Sequence, residues 1–307
     1  MHLKVAVRFH KSGILMLKII TRIAAIELVR SVALIAAAAS AFCLVMLSFN
    51  ILSLPYSILV GDIPLQDWQV FVLALGLALL PAVFVAKVPS VGAGAFDITF
   101  ATRRPSQREM DLISKVEAVL QERSSVSEIK FPRIVWRVQD CGELNAFAYA
   151  HNRICFTKGL LLKYGDTPSG IERLAGIAAH EIGHLCNWDT RILMFLHYLN
   201  LPVNLGIGLA NGTLNRIPFI GFLFTAITAI LRIPANAAQM LNSSVSRLTE
   251  YEADRFAARL MDGVGISEIL DDFSELGERK NDTFSTWLMR SHPPAELRHE
   301  EVSKRVS

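Results

Sequence analysis

Two histidines and a glutamate lie close together near the middle of the chain, in the segment His180-Glu181-Ile182-Gly183-His184. Residues four apart share one face of an α-helix, so both imidazoles can reach a single tetrahedral metal ion. Glu181 lies one step round the helix, where it can approach a metal-bound water without binding the metal itself. A metal lowers the pKa of such a water towards about 7, and a carboxylate can take its proton as it attacks a peptide carbonyl. The spacing therefore predicts zinc-dependent hydrolysis with Glu181 as the general base.

The surroundings of this segment strengthen the prediction. A helix from Ile171 to Trp188 is predicted to be largely apolar, and such a helix normally avoids two histidines and a glutamate at its centre unless a partner satisfies them. The alternative is a helix that contains this five-residue string by chance. The apolar positions of the predicted helix include Leu174, Ile177, Ala178, Ile182 and Leu185.

A catalytic zinc site needs a third protein ligand and one open position. The candidates lie in a later helical segment, where Glu250 and Asp254 are four residues apart and share a face. Glu252 lines up with Arg255 instead, a pattern typical of a solvated, ion-paired surface. The sequence favours Glu250 as the third ligand and Asp254 as a carboxylate that orients a ligand histidine, with Asp254 as a ligand left open.

The composition is more apolar than that of most water-soluble enzymes. The chain has 307 residues, of which 52% are hydrophobic and 19% charged, and its mean hydropathy is +0.37. The net charge of +3 is too mild to indicate nucleic acid as a partner. The cysteines form no C-x-x-C pair and no disulfide framework, which indicates a reduced catalytic part facing the cytosol. They are Cys43, Cys141, Cys155 and Cys186.

Two uncharged runs, Ser31–Leu54 and Trp68–Ala86, are long enough to cross a hydrocarbon core of about 30 Å. Residues 1–30 are basic, and basic residues also follow the second run. The connection Pro55–Asp67 carries two aspartates and no Lys or Arg. Because Lys and Arg accumulate on the cytoplasmic side, the N-terminus and the residues after 87 are predicted to be cytoplasmic. The basic start also leaves open an organelle transit sequence, and hence an organelle inner membrane.

Two further apolar stretches, Ile192–Asn211 and Ile217–Leu231, form a second transmembrane hairpin or lie partly embedded; the hairpin is favoured. The fold predicted is an α-helical membrane protein with about four transmembrane helices and a mainly α catalytic domain carrying a small β-sheet. Its predicted parts are a basic N-terminal segment (1–30), a transmembrane hairpin (31–88), the first part of the catalytic domain (89–190), a transmembrane or embedded hairpin (191–233) and the second part of the catalytic domain (234–307).

After about residue 105, the mixture of polar and apolar residues is typical of a soluble domain. Helical periodicity predicts a helix over Ser106–Arg123, and Ser169 with Glu172 predicts a capping box at the start of the histidine-bearing helix. Ile134–Val138 is a short β-rich run. Leu144–Ala150 and Arg153–Thr157 predict a β-hairpin.

Four features in this order resemble the HtpX-like and CaaX-prenyl-protease-like membrane zinc endopeptidases. They are Asn145-Ala146-Phe147-Ala148, the segment from His180 to His184, the helix Glu250–Asp254, and Ser291-His292-Pro293-Pro294 followed by Arg298. The resemblance implies a zincin-like catalytic domain, with the Glu250 position as third zinc ligand and the Asp254 position supporting the site. About four spans are more similar to the HtpX-like bacterial group than to the prenyl-protein proteases, which have more.

The resemblance also implies a substrate strand at Asn145, Ala146, Phe147 and Ala148. An edge strand binds an extended peptide through main-chain hydrogen bonds, whereas the alternative is a buried hairpin strand. His292 is expected to assist near the oxyanion or to lie in a plain turn before two prolines. Arg298 is expected to contact substrate or to be an exposed helical arginine.

The resemblance implies a zinc endopeptidase of the bacterial inner membrane, with its catalytic domain facing the cytoplasm. The expected substrates are membrane or membrane-proximal polypeptides, cleaved in membrane protein quality control. The alternatives are processing of lipidated C-termini of the CaaX type and a catalytically silent zinc-binding membrane scaffold.

Overall fold

The computed structural model describes residues 2–61, 65–213, 230, 233 and 246–262. Nearly all of the fourth apolar stretch, 217–231, lies outside these residues, as do His292 and Arg298. The chain divides into two compact units. The first comprises Met1–Ala82 with Leu196–Leu248. The second, named the catalytic unit because it contains the predicted base and metal ligands, comprises Val83–Phe195 with Thr249–Ser307.

Two helices carry the first two predicted spans. Helix α1 runs from His2 to Leu59 without a break, and helix α2 runs from Asp67 to Lys87. By length and composition, Ile20–Asn50 of α1 and the whole of α2 are apolar enough to cross a membrane, and only 28% and 22% of these stretches are buried. A core helix of a water-soluble protein is mostly buried, so the low burial of these two helices is compatible with a membrane span.

Buried alanines recur one turn apart on both α1 and α2. The rings of Phe42 and Phe71 join the two helices edge-on, with their centroids 5.0 Å apart. Ala41 and Ala78 belong to one buried apolar cluster with Leu44, Val203 and Ile207, so a later part of the chain packs against the same helices. The buried alanines are Ala33, Ala37 and Ala41 on α1 and Ala74, Ala78 and Ala82 on α2.

The third predicted apolar stretch, Ile192–Asn211, is divided between two helices. Helix α7 spans Asp189–Leu199 and helix α8 spans Leu201–Thr213. The break falls at Asn200, just before Pro202. A proline ring clashes with the carbonyl four residues earlier inside a helix but is tolerated in a first turn, so a new helix begins here.

A small mixed sheet lies at the centre of the catalytic unit. Its strands are β1 (Thr102–Arg103), β2 (Val135–Gln139), β3 (Ala146–Tyr149) and β4 (Arg153–Thr157), in the order β1-β2-β4-β3. β2 and β4 run parallel, and the other pairs are antiparallel. β3 and β4 form the predicted hairpin, whose turn begins at Ala150 with a φ of 55°. β3 therefore ends the sheet as an edge strand among the described residues.

One face of this sheet is covered by helices. They are α4 (Gln107–Ser127), α5 (Lys158–Tyr164), α6 (Pro168–Cys186) and α9 (Ser246–Leu260). Trp136 of β2 faces this core, and the next residue along the strand faces the opposite side, as the pleat requires. The fully buried core residues include Ile113, Val116, Leu120, Ile154, Phe156, Leu174, Ile177, Ile182 and Leu260.

Helix α3, Pro89–Thr99, covers the other face of the sheet. Its Asp97 accepts hydrogen bonds from the guanidinium groups of Arg137 and Arg153, and from the Tyr149 hydroxyl at 2.6 Å. These partners come from β2, β4 and β3, so one carboxylate joins three strands to α3. Sequence reasoning did not anticipate this cluster, because its members are far apart in the chain.

Side-chain caps fix the starts of the two main helices. Ser106 and Glu109 form a capping box on α4, and hydrogen bonding from Arg103 holds the pKa of Glu109 down, at about 2. The predicted Ser169 cap of α6 is wrong. Thr167 caps the helix by accepting from the Gly170 N–H at 3.1 Å, because Pro168 already has the φ of a first helical residue.

Candidate metal centre

The site is built where α6 crosses α9. A β-carbon placed on Gly183 would lie 2.8 Å from Cα and 3.0 Å from O of Ala253, closer than real contacts allow. Glycine at this position lets the two backbones approach at van der Waals distance. Glu250 lies nearly one turn before Ala253, so this approach brings its carboxylate to the histidine-bearing face of α6.

Three potential ligand atoms converge at this crossing. Nε2 of His180 lies 3.2 Å from Oε2 of Glu250, and Nε2 of His184 lies 3.3 Å from Oε1 of the same carboxylate. The two Nε2 atoms are 3.2 Å apart. A tetrahedral zinc with bonds of about 2.0–2.1 Å separates its ligand atoms by about 3.3 Å. The three residues therefore fit the ligand set of one such ion.

The hydrogen bonds of the two imidazoles also favour a cation. Nδ1 of His180 lies 2.8 Å from Oδ1 of Asp254, and Nδ1 of His184 lies 2.8 Å from Oδ2 of Asp189. A neutral ring that donates from Nδ1 directs a lone pair from Nε2. Two lone pairs and the Glu250 carboxylate then face one another, which is repulsive without a positive charge between them.

Buried negative charge surrounds these ligands. Glu250, Asp254, Glu181 and Asp189 are only 2%, 3%, 4% and 9% exposed. Burying carboxylates is costly unless they are paired or bind metal, so a divalent cation would stabilise the cluster. Two imidazole nitrogens and one carboxylate are the donors of many catalytic zinc sites, in which the fourth position stays open.

Glu181 points to the edge strand of the sheet. Its Oε2 accepts a hydrogen bond from the Ala148 N–H at 2.7 Å. Asn145 is paired to β4, because its carbonyl accepts from the Thr157 N–H at 3.0 Å. Main-chain groups alternate along an antiparallel strand, so those of Ala146 and Ala148 are directed to the outer edge, on the side of Glu181.

The predicted substrate strand buries its side chains, but one of its main-chain edges lies at the edge of the sheet. The side chains of Ala146 and Phe147 are 3% and 8% exposed, as the hairpin alternative expected. The outer main-chain edge nevertheless lies beside Glu181, and its role in binding substrate stays a prediction. Oδ1 of Asn145 accepts from the Ala146 N–H at 2.9 Å, which fixes the start of β3. His292 and Arg298 lie outside the described residues, and their roles stay predictions.

Sequence reasoning missed two residues of the site. Asp189 is the first residue of α7, where an acidic side chain is common in any helix. Its position five residues after His184 was the only indication in the sequence of a contact with that ring. Gly183 was noted only as part of the motif. A glycine inside an otherwise apolar helix is a known sign of close backbone approach, and the structure shows that approach at Ala253.

Replacing Asp189 by Asn is expected to weaken zinc binding by about 10–100-fold, because the His184 ring loses a charged hydrogen-bond acceptor. The measurement is competition for zinc with a chromophoric chelator, alongside circular dichroism. Asp166→Asn is the matched control, since Asp166 is paired with Lys115 on the surface with its side chain 55% exposed. Equal zinc affinity in the two variants would contradict an orienting role for Asp189.

The cysteines of the catalytic unit do not supply an alternative nucleophile. Burial raises the pKa of the Cys141, Cys155 and Cys186 thiols above the ordinary value. The thiolate is the reactive form, so these side chains are poor nucleophiles at neutral pH. Metal-assisted hydrolysis therefore fits the catalytic unit better than covalent catalysis by cysteine.

Comparisons with known proteins point the same way. Residues 106–306 match the model of peptidase family M48. A protease HtpX homolog of Limosilactobacillus fermentum is 27% identical over 202 residues, which cover 60% of this chain and 65% of the relative. A protease HtpX homolog of Aeropyrum pernix is 25% identical, covering 61% and 56%. Protease HtpX of Pseudomonas putida is 26% identical over 275 residues, covering 80% and 88%. The chain thus spans less than two thirds of the length of the first two relatives.

Proposed function

Because the chain belongs to peptidase family M48, we propose that it is a zinc-dependent endopeptidase that hydrolyses membrane or membrane-proximal proteins. One observation carries the proposal: His180, His184 and Glu250 offer three ligand atoms within 4.8 Å of one another. Their spacing, burial and outer hydrogen bonds suit zinc. A role in membrane protein quality control is proposed by analogy with the HtpX-like group.

The proposed reaction is the addition of water to a peptide carbonyl. Bound zinc supplies a Lewis acid that polarises the carbonyl and lowers the pKa of water. Glu181 takes one proton as the water oxygen bonds to the carbonyl carbon, and delivers it to the amide nitrogen as the C–N bond breaks. Asp254 and Asp189 hold the His180 and His184 rings, so their Nε2 atoms stay aimed at the metal position.

The substrate is proposed to add to β3 as a further strand. The outer edge of β3 offers the carbonyls of Ala146 and Ala148 next to Glu181, whereas the two N–H groups already donate to Asn145 and Glu181. Pairing through the main chain suits loose side-chain specificity. Asn145 and Phe147 support this strand from its paired side. His292 near the oxyanion and Arg298 on the substrate side complete the proposed site.

The protein is proposed to lie in the bacterial inner membrane, with its catalytic domain in the cytoplasm. The two exposed apolar helices support insertion, and the Lys and Arg bias supports this orientation. Residues 191–233 are proposed to form a second hairpin, giving four spans. The two parts of the catalytic domain, 89–190 and 234–307, then lie on the same side.

A reporter inserted at Gly61 tests the orientation. Gly61 follows α1 in the turn with a φ of 110°, so an insertion there interrupts neither candidate span. The reporter is expected to be accessible from outside the cytoplasm, whereas one fused after Ser307 is expected to be protected. The reverse pattern would overturn the proposed orientation.

Hydrolysis of casein by the detergent-purified chain tests the activity. The wild type is expected to cut casein, lose all activity with 1,10-phenanthroline, and regain it when zinc is restored, because the carbonyl is polarised only by bound metal. Cleavage that persists without metal would contradict the proposal. Zinc binding without any cleavage would favour a silent scaffold.

A further inference from the structure

An exposed apolar stripe follows the outer face of α3. Its members, Val91, Ala95 and Ile98, recur at intervals of four and three residues, which places them on one side of the helix. The exposed fractions are 49% for Val91 and 83% for Ile98. Val88 separates α3 from α2, because its φ of −126° and ψ of 69° are not helical and Pro89 begins the new helix. The stripe therefore starts directly after the candidate membrane span and on a helix of its own.

The inner face of α3 is already occupied. Gly92, Ala93 and Phe96 are buried, and the Phe100 ring after the helix meets the rings of Phe147 and Tyr149 edge-on. Asp97 is held by arginines of β2 and β4. These contacts fix the helix against the sheet, so the outer stripe cannot turn inwards. A helix that is apolar on both sides needs a second apolar environment for its outer side.

Positive charge lies on both sides of the stripe along the chain. Residues 83–104 contain Lys87, Arg103 and Arg104 against Asp97 as the single acid. Arg103 is paired with Glu109, whereas Lys87 and Arg104 are exposed. Each basic side chain near an anionic membrane surface favours binding. An apolar face with basic flanks is typical of a helix lying at a lipid headgroup boundary.

The size of the stripe argues against a second copy of the chain as the occupant. From Val91 to Ile98 it extends about 10 Å along the helix axis. A stable protein interface buries about 800 Å² on each partner, far more than one narrow stripe supplies. The stripe begins four residues after Lys87, the last residue of a helix that is apolar enough to cross a membrane.

We propose that α3 is a membrane-surface helix whose outer stripe inserts into the headgroup boundary of an anionic bilayer. This inference rests on the proposed insertion of α2. Through Phe100, α3 also contacts β3, the strand whose Ala148 N–H reaches Glu181. The bilayer surface is thus linked by direct contacts to the proposed substrate strand.

Photo-crosslinking of the full chain in bilayer discs of phosphatidylethanolamine and phosphatidylglycerol tests this inference. A benzophenone-bearing amino acid is placed at Ile98, and lipid adducts are measured by mass spectrometry. Phe84 at the end of α2 is the positive control. Val126 is the negative control: it is 81% exposed and apolar, but it belongs to α4, on the opposite face of the sheet.

The expected result is a lipid adduct at Ile98 as strong as that at Phe84, and none at Val126. An adduct at Phe84 without one at Ile98 would overturn the inference and leave the insertion of α2 intact. Crosslinking of Ile98 to protein, or equal lipid adducts at all three positions, would also overturn it. Absence of lipid adducts at both Phe84 and Ile98 would remove the insertion and the inference together.

Discussion

Replacing Glu181 by Gln is expected to lower the rate of casein hydrolysis by about 10²–10⁴-fold while zinc remains bound. Glutamine has the shape of glutamate and can still accept the Ala148 N–H through its amide oxygen. It cannot take a proton from water. The change therefore removes the base and little else.

Three measurements test whether the substitution removes only the base. Zinc content by atomic spectroscopy and the thermal unfolding midpoint should match those of the wild type, and kcat should fall. Glu252→Gln is the matched control on α9, because Glu252 is paired with Arg255 and lies outside the ligand cluster. Peptidase activity that survives Glu181→Gln would eliminate the proposed mechanism.

Replacing Gly183 by Ala is expected to cost both stability and activity. The added methyl group would lie 2.8 Å from the Ala253 backbone, so α6 and α9 must move apart. Overpacking of this kind costs about 1–3 kcal/mol of the free energy of unfolding. A displacement of about 1 Å at a catalytic group can cost about 10²-fold in rate. Glu250 would move away from the two histidines, so zinc affinity should fall as well.

Gly94→Ala is the matched control for this substitution. Gly94 lies within α3, and a β-carbon there would meet nothing within 4 Å. Alanine in a helix is more stable than glycine by roughly 0.5–1 kcal/mol, so this variant should unfold at the same or a higher denaturant concentration. Wild-type zinc affinity and activity in Gly183→Ala would show that the close approach of α6 and α9 does not determine the geometry of the metal site.

Local patterns in the sequence predicted much of the fold. The helix predicted over Ser106–Arg123 and the hairpin of β3 and β4 follow from neighbouring residues, and both are present. The two uncharged runs coincide with helices suited to a membrane. The resemblance to HtpX-like proteases, drawn from four motifs, is confirmed by the family match over residues 106–306 and by the HtpX relatives.

The features that escaped prediction depend on contacts between distant segments. Asp97 contacts Arg137 and Arg153 only because α3 covers the sheet, and no periodic pattern in the sequence predicts that packing. Asp189 reaches His184 through a turn at Trp188, whose φ of 66° is unusual for a bulky residue. The cap of α6 was misplaced because a proline at a first helical position outweighs a serine one residue later.

The two ligand helices belong to one unit, although the intervening residues Leu196–Leu248 belong to the other. The chain therefore leaves the catalytic unit after Phe195 and returns at Thr249, just before Glu250. A metal bound by both segments would link the two ends of the intervening residues. At a concentration a thousand times its dissociation constant, the metal would add about 4 kcal/mol to the free energy of unfolding. Metal starvation would then shorten the lifetime of the protein in the cell, because the loosened return segment becomes accessible to other proteases.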